Sequence, residues 1–267
     1  YIYVPYRIVD LYVRGSLGES LAFVLFPLIL LGILGMYREG KPKDIILGGV
    51  SFGALIVTHN IMAVLFGIFI AFILFGSVLI KNIKFTLNLL LSLSVSLGIS
   101  AFFWLPAIFE KNLILLSKIP IADRSFHFIK FLDLIIPKWG YGVPTDIDGF
   151  GYQVGLSQLA IVIILIFLIL QNKKNIRKVL LFLAASMIVF SLLLFPHASF
   201  IWKNTPFLSE INYPWTILGI LMFLISLASG YITKYGKVFI SLAFFLCLIS
   251  VFLVLPHAKP QSYVDRG

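Results

Sequence analysis

Long apolar stretches alternate with short polar breaks along most of this 267-residue chain. The apolar stretches are 14 to 24 residues long, close to the roughly 17–25 residues that a helix needs to cross a bilayer. They cover residues 20–36, 45–58, 61–80, 85–108, 154–170, 179–196, 214–233 and 238–255. The pattern predicts an all-α fold, a polytopic transmembrane helical bundle of about eight spans.

The second and third stretches run together from Ile45 to Ile80. A single helix of that length would measure roughly 54 Å, far more than the ~30 Å hydrocarbon core of a membrane. We therefore expect the chain to turn back near Thr58-His59-Asn60. The first arm of this hairpin is short for a full span.

The first 19 residues are rich in tyrosine and alternate in charge. On a helical wheel, Arg7, Asp10 and Arg14 lie within about 60° of one another, while Tyr6 and Val9 turn away from them. This pattern is typical of a short helix at the membrane interface. Since the chain starts with tyrosine, partway through a loop, we expect a fragment that lacks the N-terminal part of a longer chain.

Residues 109–153 form the longest interruption of the apolar pattern. Long connections are commonly functional, and the aromatic and glycine content of this one favours an ordered loop on the membrane surface. We predict a single membrane domain over residues 1–267, with 109–153 as an extracytoplasmic loop within it.

Composition excludes an ordinary soluble domain. The chain is 60% hydrophobic and 12% charged, whereas soluble domains have roughly 45–50% apolar and about 25% charged residues. Folded in water, a chain of this length and composition would expose large apolar surfaces, because it has too few charged residues to cover them. The lipid bilayer is therefore the expected partner.

The net charge of +10 reflects topology rather than a polyanionic ligand. Four short breaks between the stretches contain 11 basic and two acidic residues: Tyr37–Asp44, Lys81–Lys84, Asn172–Lys178 and Lys234–Lys237. Basic residues concentrate in cytoplasmic loops. We therefore predict a multi-pass protein of the plasma membrane with both ends and the long loops outside, and no nucleic-acid partner.

Metal and disulfide chemistry find little support in the sequence. The lone cysteine, Cys247, excludes an intramolecular disulfide, and the four histidines lack metal-ligand spacing. Asp146 and Asp148 form a D-x-D pair in a glycine-rich turn, which is weak evidence for a metal site because aspartates also bond to the backbone of such turns. We predict no metal ligands and no evident cofactor; a divalent metal is left open.

Several segments, taken together and in order, resemble one bacterial family of membrane proteins. They are VPYRIVDLYVRGSLGESLAFVLFPLIL, LIVTHNIMAVL, SAFFWLPAIFE and PKWGYGV followed by GFGYQVGLSQ. The family is the 6-pyruvoyl-tetrahydropterin synthase-related membrane proteins, and the likeness covers nearly the whole chain. A pterin synthase needs a three-histidine zinc site, which this sequence lacks.

The resemblance implies a branch of the type C membrane glycosyltransferases, which take a sugar from a polyprenyl-phosphate carrier at the outer face. It implies that the principal catalytic carboxylate lies in an earlier loop, before residue 1. Related sequences carry an arginine after the Pro-Trp of a later outer loop, where this chain has Thr216.

Charged residues near the outer rim are the candidate reactive groups. We predict catalytic roles for Asp10, Glu19 and His59, because carboxylates and imidazoles transfer protons. Two alternatives stay open: helical ion pairs could explain the charged cluster, and capping of helix ends could explain His59.

Arginines and outer aromatic residues are the candidate substrate ligands. Arg7 and Arg14 could hold a lipid-linked phosphate through bidentate hydrogen bonds. Trp139, Tyr141 and Trp215 could stack on a sugar ring, although an aromatic belt at the membrane interface needs no further function.

Two other functional classes compete with a polyprenyl-phosphate-sugar-dependent glycosyltransferase. A transporter or lipid flippase would place polar residues or broken helices near the midplane; here Ser92, Ser96 and Ser100 form a stripe more typical of close helix packing. A non-enzymatic membrane scaffold is the third possibility.

Overall fold

The computed structural model of the chain describes residues 1–110, 113, 127–140, 149–171, 174–205, 208–211 and 213–257, with side chains at all of these except 174–177 and 210. In this part of the chain the secondary structure is helical, and the β-type contact found there is an isolated bridge between Trp139 and Phe150. The predicted all-α fold is confirmed.

Eleven α-helices lie within the described residues: α1 Pro5–Ile8, α2 Leu17–Arg38, α3 Pro42–Thr58, α4 Asn60–Leu79, α5 Ile83–Ile99, α6 Ala101–Phe109, α7 Leu156–Leu170, α8 Lys174–Leu192, α9 Ser199–Asn204, α10 Ile217–Ile232 and α11 Lys237–Val254. Every apolar stretch of the sequence coincides with one of these helices or with a bent pair of them. Four helices in the described ranges are long and apolar enough to cross a membrane, or up to six if each of two bent pairs is one span. The figure of about eight spans stays a prediction, since α3 and α7 have only 17 and 15 residues.

The stretch 85–108 forms two helices joined at a bend. The axis bends by 71° between α5 and α6. At the bend, the Ser100 hydroxyl donates to the Ser96 carbonyl over 2.7 Å, and the Trp104 indole N–H donates to the Leu97 carbonyl over 2.9 Å. These side chains satisfy carbonyl groups near the break, which lets the helix bend without leaving them unpaired.

The chain divides into two compact units. Unit 1 consists of Tyr1–Ser16, Ser125–Ser209 and Tyr213–Gly267, and unit 2 of Leu17–Arg124 and Glu210–Asn212. The single membrane domain of the sequence analysis stays a prediction.

Unit 2 is built on close contact between α3 and its neighbours. A Cβ atom added at Gly49 would lie 2.8 Å from the Ser92 carbonyl oxygen, and one at Gly53 would lie 3.1 Å from that of Ser96. Ser92 and Ser96 are buried. Small residues let the two backbones approach in this way, which confirms the interpretation of the serine stripe as packing.

Unit 1 surrounds α10 with α7, α8 and α11. Helix α10 is buried on most sides, which suits its apolar composition. The segment before α1 is tied in by a polar chain in which Gln158 Nε2 donates to Ser250 Oγ over 3.3 Å and Ser250 donates to the Tyr3 carbonyl over 2.8 Å. This chain holds the N-terminal segment against α7 and α11.

Candidate functional site

An ion pair between Asp10 and Arg14 lies in the N-terminal part of unit 1. Arg14 Nη1 donates to Asp10 Oδ1 over 2.7 Å and to the Tyr6 hydroxyl over 3.2 Å. The Asp10 side chain is fully buried, whereas that of Arg14 is 18% exposed. Because a buried charge is costly unless it is paired, each side chain of this pair stabilises the other. The predicted (i, i+4) ion pair is confirmed.

The helix that carries this pair widens after α1. Residues Val9–Val13 form a π-helical turn, in which the Arg14 N–H donates to the Val9 carbonyl over 3.0 Å. The prediction that Tyr6 turns away from the charged residues was wrong, because its hydroxyl accepts a hydrogen bond from Arg14. A π-turn holds more residues than an α-turn, so the α-helical wheel no longer gives the facing of the side chains.

Arg7 contacts an aromatic ring. Its guanidinium carbon lies 5.9 Å from the centre of the Tyr1 ring, within the range of a cation–π interaction. Its predicted role as a phosphate ligand stays a prediction.

Glu19 and His59 belong to unit 2. Glu19 is in the first turn of α2 and is fully buried. The preceding residue, Gly18, approaches the turn between α3 and α4: a Cβ atom there would lie 2.9 Å from the Thr58 carbonyl oxygen and 3.4 Å from His59 Cδ2. The start of α2 and the α3–α4 turn therefore pack against each other.

His59 caps α4. The backbone at His59 is extended between the end of α3 and the start of α4, which confirms the predicted turn. Its Nδ1 accepts a hydrogen bond of 3.1 Å from the Met62 N–H, as a capping side chain does at an orphan amide. The capping interpretation is confirmed, and a catalytic role for His59 stays a prediction.

Four aromatic side chains surround Trp215 in unit 1. The Trp215 ring centre lies 4.5 Å from that of Tyr213, 5.1 Å from His127, 5.4 Å from Tyr152 and 6.0 Å from Phe150. We call these five residues, His127, Phe150, Tyr152, Tyr213 and Trp215, the aromatic cluster. Trp215 is 5% exposed and Tyr213 is 40% exposed, so Tyr213 is the part of the cluster that faces outward.

Backbone pairing in the long loop positions two members of the cluster. Trp139 and Phe150 form the isolated bridge, and the Val154 N–H donates to the Leu134 carbonyl over 2.9 Å. In an extended segment alternate side chains share a face. Phe150 and Tyr152 accordingly both contact Trp215.

The side chain of Gln153 lies on the face of this extended segment opposite to Phe150 and Tyr152. Its Oε1 accepts a bond of 3.4 Å from the Lys138 N–H. Its Nε2 is buried and has no hydrogen-bond partner among the described residues, and the same holds for Trp215 Nε1. Unpaired buried donors are rare in proteins.

Two charges act on the aromatic cluster. Burial raises the pKa of the Tyr152 hydroxyl, the Asp133 carboxylate raises it further, and Arg14 lowers it. Arg14 and Asp133 are therefore close enough to Tyr152 to interact with it electrostatically.

The loop before α7 also brings Trp139 against the end of α11. The rings of Trp139 and His257 stack in parallel with centres 4.1 Å apart, so His257 lies over one face of Trp139. Tyr141, Asp146 and Asp148 lie outside the described residues, so their predicted roles are not tested.

Thr216 is buried in the turn that positions Trp215. Its hydroxyl donates to the Tyr213 carbonyl over 2.8 Å, and the side chain is 2% exposed. The threonine at this position stabilises the local turn.

Sequence reasoning identified Trp215 but missed its partners His127, Phe150, Tyr152 and Tyr213. The alternation of aromatic residues in GFGYQV and the Tyr-Pro-Trp motif are the signals that could have indicated them. No pattern in the sequence pairs the two motifs, since they are far apart in the chain.

Within the described ranges, no group of three or more histidine, cysteine, aspartate or glutamate side chains could hold a metal ion. Comparison of the chain with protein-family models, with curated proteins and with solved structures found no match.

Proposed function

We propose that this chain is a multi-pass protein of the plasma membrane, with about eight spans and long extracytoplasmic loops, that binds a polyprenyl-phosphate sugar. From its resemblance to type C glycosyltransferases, we further propose that the chain transfers this sugar at the outer face of the membrane. The observation that carries it is the Asp10–Arg14 pair, a partly exposed guanidinium anchored on a buried carboxylate.

Arg14 supports binding of a phosphate. Guanidinium groups recognise phosphate through paired N–H donors, and the bond to Asp10 fixes this one in place before any ligand arrives. Such preorganisation reduces the entropy lost on binding. Arg14 also acts electrostatically on Tyr152, a member of the aromatic cluster.

In the proposed transfer, an acceptor hydroxyl oxygen bonds to the anomeric carbon of the sugar. The bond between that carbon and the phosphate oxygen breaks, and the phosphate leaves with the electron pair. A carboxylate takes the proton of the hydroxyl; Asp10 and Glu19 are the candidates for this role.

Binding of a carrier lipid tests the proposal. The chain in lipid nanodiscs, mixed with radiolabelled polyprenyl-phosphate glucose, is expected to retain the label and Arg14→Gln to retain about tenfold less. Lys41→Gln is the matched control, because Lys41 is an exposed cation in a predicted cytoplasmic break. Equal retention by all three proteins, or none by any, would contradict the proposal.

A transporter or lipid flippase is the second candidate, and the bent helices favour it. Besides the 71° bend between α5 and α6, an 86° bend separates Lys178–Leu192 from Pro196–Asn204. Transporters commonly build substrate sites from discontinuous helices. Movement of a fluorescent polyprenyl-phosphate sugar between leaflets of a vesicle, without release of the sugar, would favour this function over transfer.

A further inference from the structure

The aromatic cluster contains a buried hydrogen-bond donor that no described residue satisfies. Trp215 is 5% exposed, and its Nε1 is buried without a partner among the described residues. The other buried tryptophan, Trp202, donates its Nε1–H to the Leu193 carbonyl over 2.9 Å. A buried donor is normally paired because it loses its bond to water on folding. The contrast between the two indoles points to a ligand at Trp215.

We infer that the aromatic cluster is a subsite for a carbohydrate ring, with Trp215 Nε1–H donating to a ligand oxygen and Tyr213 stacking on the apolar face of the ring. This inference rests on the proposed function, since it assigns the sugar of the carrier to this cluster. Beyond carrier binding, the inference names the residues that would distinguish a sugar-bearing carrier from a carrier without a sugar.

The chemistry of the cluster favours a carbohydrate over other ligands of aromatic sites. Aromatic cages often bind quaternary ammonium groups, but such groups offer no acceptor for an indole N–H. A lipid chain has no acceptor either. A sugar ring presents hydroxyl oxygens at its edge and C–H groups on its face.

Access requires a small movement within the cluster. Tyr213 is 40% exposed and stacks on Trp215 at 4.5 Å. Since Nε1 is shielded from solvent, a ring at the rim must shift to admit a ligand oxygen. Exposed side chains change rotamer rapidly, and Tyr213 is the ring most open to do so.

Replacement of the indole by a phenyl ring removes the donor at each of the two buried tryptophans. Trp215→Phe and Trp202→Phe both lose ring volume and leave a cavity, but Trp202→Phe also breaks the hydrogen bond to the Leu193 carbonyl. The Tm of Trp215→Phe is therefore expected to fall less than that of Trp202→Phe. Tyr213→Ala, with Tyr213→Phe as its matched control, tests the stacking face at a partly exposed position where folding is less at risk.

Binding of bare polyprenyl phosphate and of polyprenyl-phosphate glucose, mannose and N-acetylglucosamine is measured for each variant in nanodiscs. We expect at least one sugar-bearing carrier to bind the parent chain about tenfold more tightly than the bare carrier, and Trp215→Phe and Tyr213→Ala to abolish that difference. Tyr213→Phe is expected to retain it.

The outcomes separate the two proposals. If bare and sugar-bearing carriers bind the parent chain equally, or if the difference survives in both Trp215→Phe and Tyr213→Ala, the sugar subsite is wrong while carrier binding stands. If no carrier binds, the proposed function is wrong and the subsite falls with it.

Discussion

The role of Asp10 and Arg14 depends on how deeply each side chain is buried. In the sequence they are members of a charged cluster; in the structure Asp10 is fully buried and Arg14 is its partner. The pair is therefore both a structural element and the proposed phosphate anchor. Stability and binding have to be measured together to separate these roles.

Removal of either partner is expected to destabilise the chain more than removal of both. Arg14→Gln removes the described ion-pair partner of a buried carboxylate; breaking a fully buried pair costs about 3–5 kcal/mol, and the cost is smaller here because Arg14 is 18% exposed. Thermal unfolding in detergent of Asp10→Asn, Arg14→Gln and the double variant gives the coupling energy. Strictly additive effects would show that the pair is not coupled.

His59 offers a clean separation of capping from catalysis. His59→Leu removes the acceptor for the Met62 N–H and is expected to cost about 1 kcal/mol, whereas His59→Asn keeps an acceptor and is expected to keep the Tm. Sugar transfer by His59→Asn is the second readout. If the His59→Asn variant is stable but transfers no sugar, His59 has a catalytic role in addition to capping α4.

Tyr152 is expected to make stability fall at alkaline pH. Burial raises its pKa in the folded state, so in the unfolded chain the hydroxyl ionises first, near pH 10. The stabilisation is complete below that pH and is lost as the pH rises through the pKa of the folded state. Between pH 8 and 11, the free energy of unfolding should decline less steeply with pH for Tyr152→Phe than for the parent chain. An equal slope for the two proteins would show that Tyr152 does not cause the loss of stability.

At the scale of elements, the contact between α3 and α5 depends on the absence of side chains. Gly49 approaches the Ser92 backbone so closely that any Cβ atom meets it. Gly53 approaches the Ser96 carbonyl in the same way, so the packing of α3 against α5 depends on small residues along this face.

Alanine at two glycines should have opposite effects. Gly49→Ala forces α3 and α5 apart and is expected to cost about 1–3 kcal/mol. Gly98→Ala in α5 is the matched control: nothing lies within 4 Å of a Cβ atom there, so the gain in helix propensity should stabilise by about 0.5–1 kcal/mol. Tm values that fall equally for both variants would contradict the close packing.

At the scale of the whole molecule, orientation in the membrane decides what the aromatic cluster can reach. The positive-inside bias predicts that α9 and the cluster are on the outer side and that the α2–α3 break is cytoplasmic. Glycosyl carriers presented at the outer face would then meet the cluster directly.

Single cysteines test this orientation. In a Cys247→Ser background, Asn204→Cys is expected to react with an impermeant maleimide added to intact cells, and Lys41→Cys only after permeabilisation. Both side chains are exposed, so access and not burial decides labelling. The reverse pattern would invert the topology and remove the outer-face function.

The amino-acid sequence was enough to predict the helices, the break near His59 and the serine face of α5 that packs against another helix. These follow from the local length and spacing of apolar and small residues, because a chain in lipid must satisfy its backbone hydrogen bonds within each segment. Local patterns are sufficient for such features.

The burial of Asp10, the bend at Ser100 and the contact of Tyr152 with Trp215 became visible in the three-dimensional structure alone. Each depends on contacts that spacing along the chain does not specify: a π-turn that changes which side chains share a face, side chains that bond to backbone carbonyls, and two segments distant in the chain whose rings meet. The candidate site is made of these contacts, so some of its residues could be predicted but their arrangement could not.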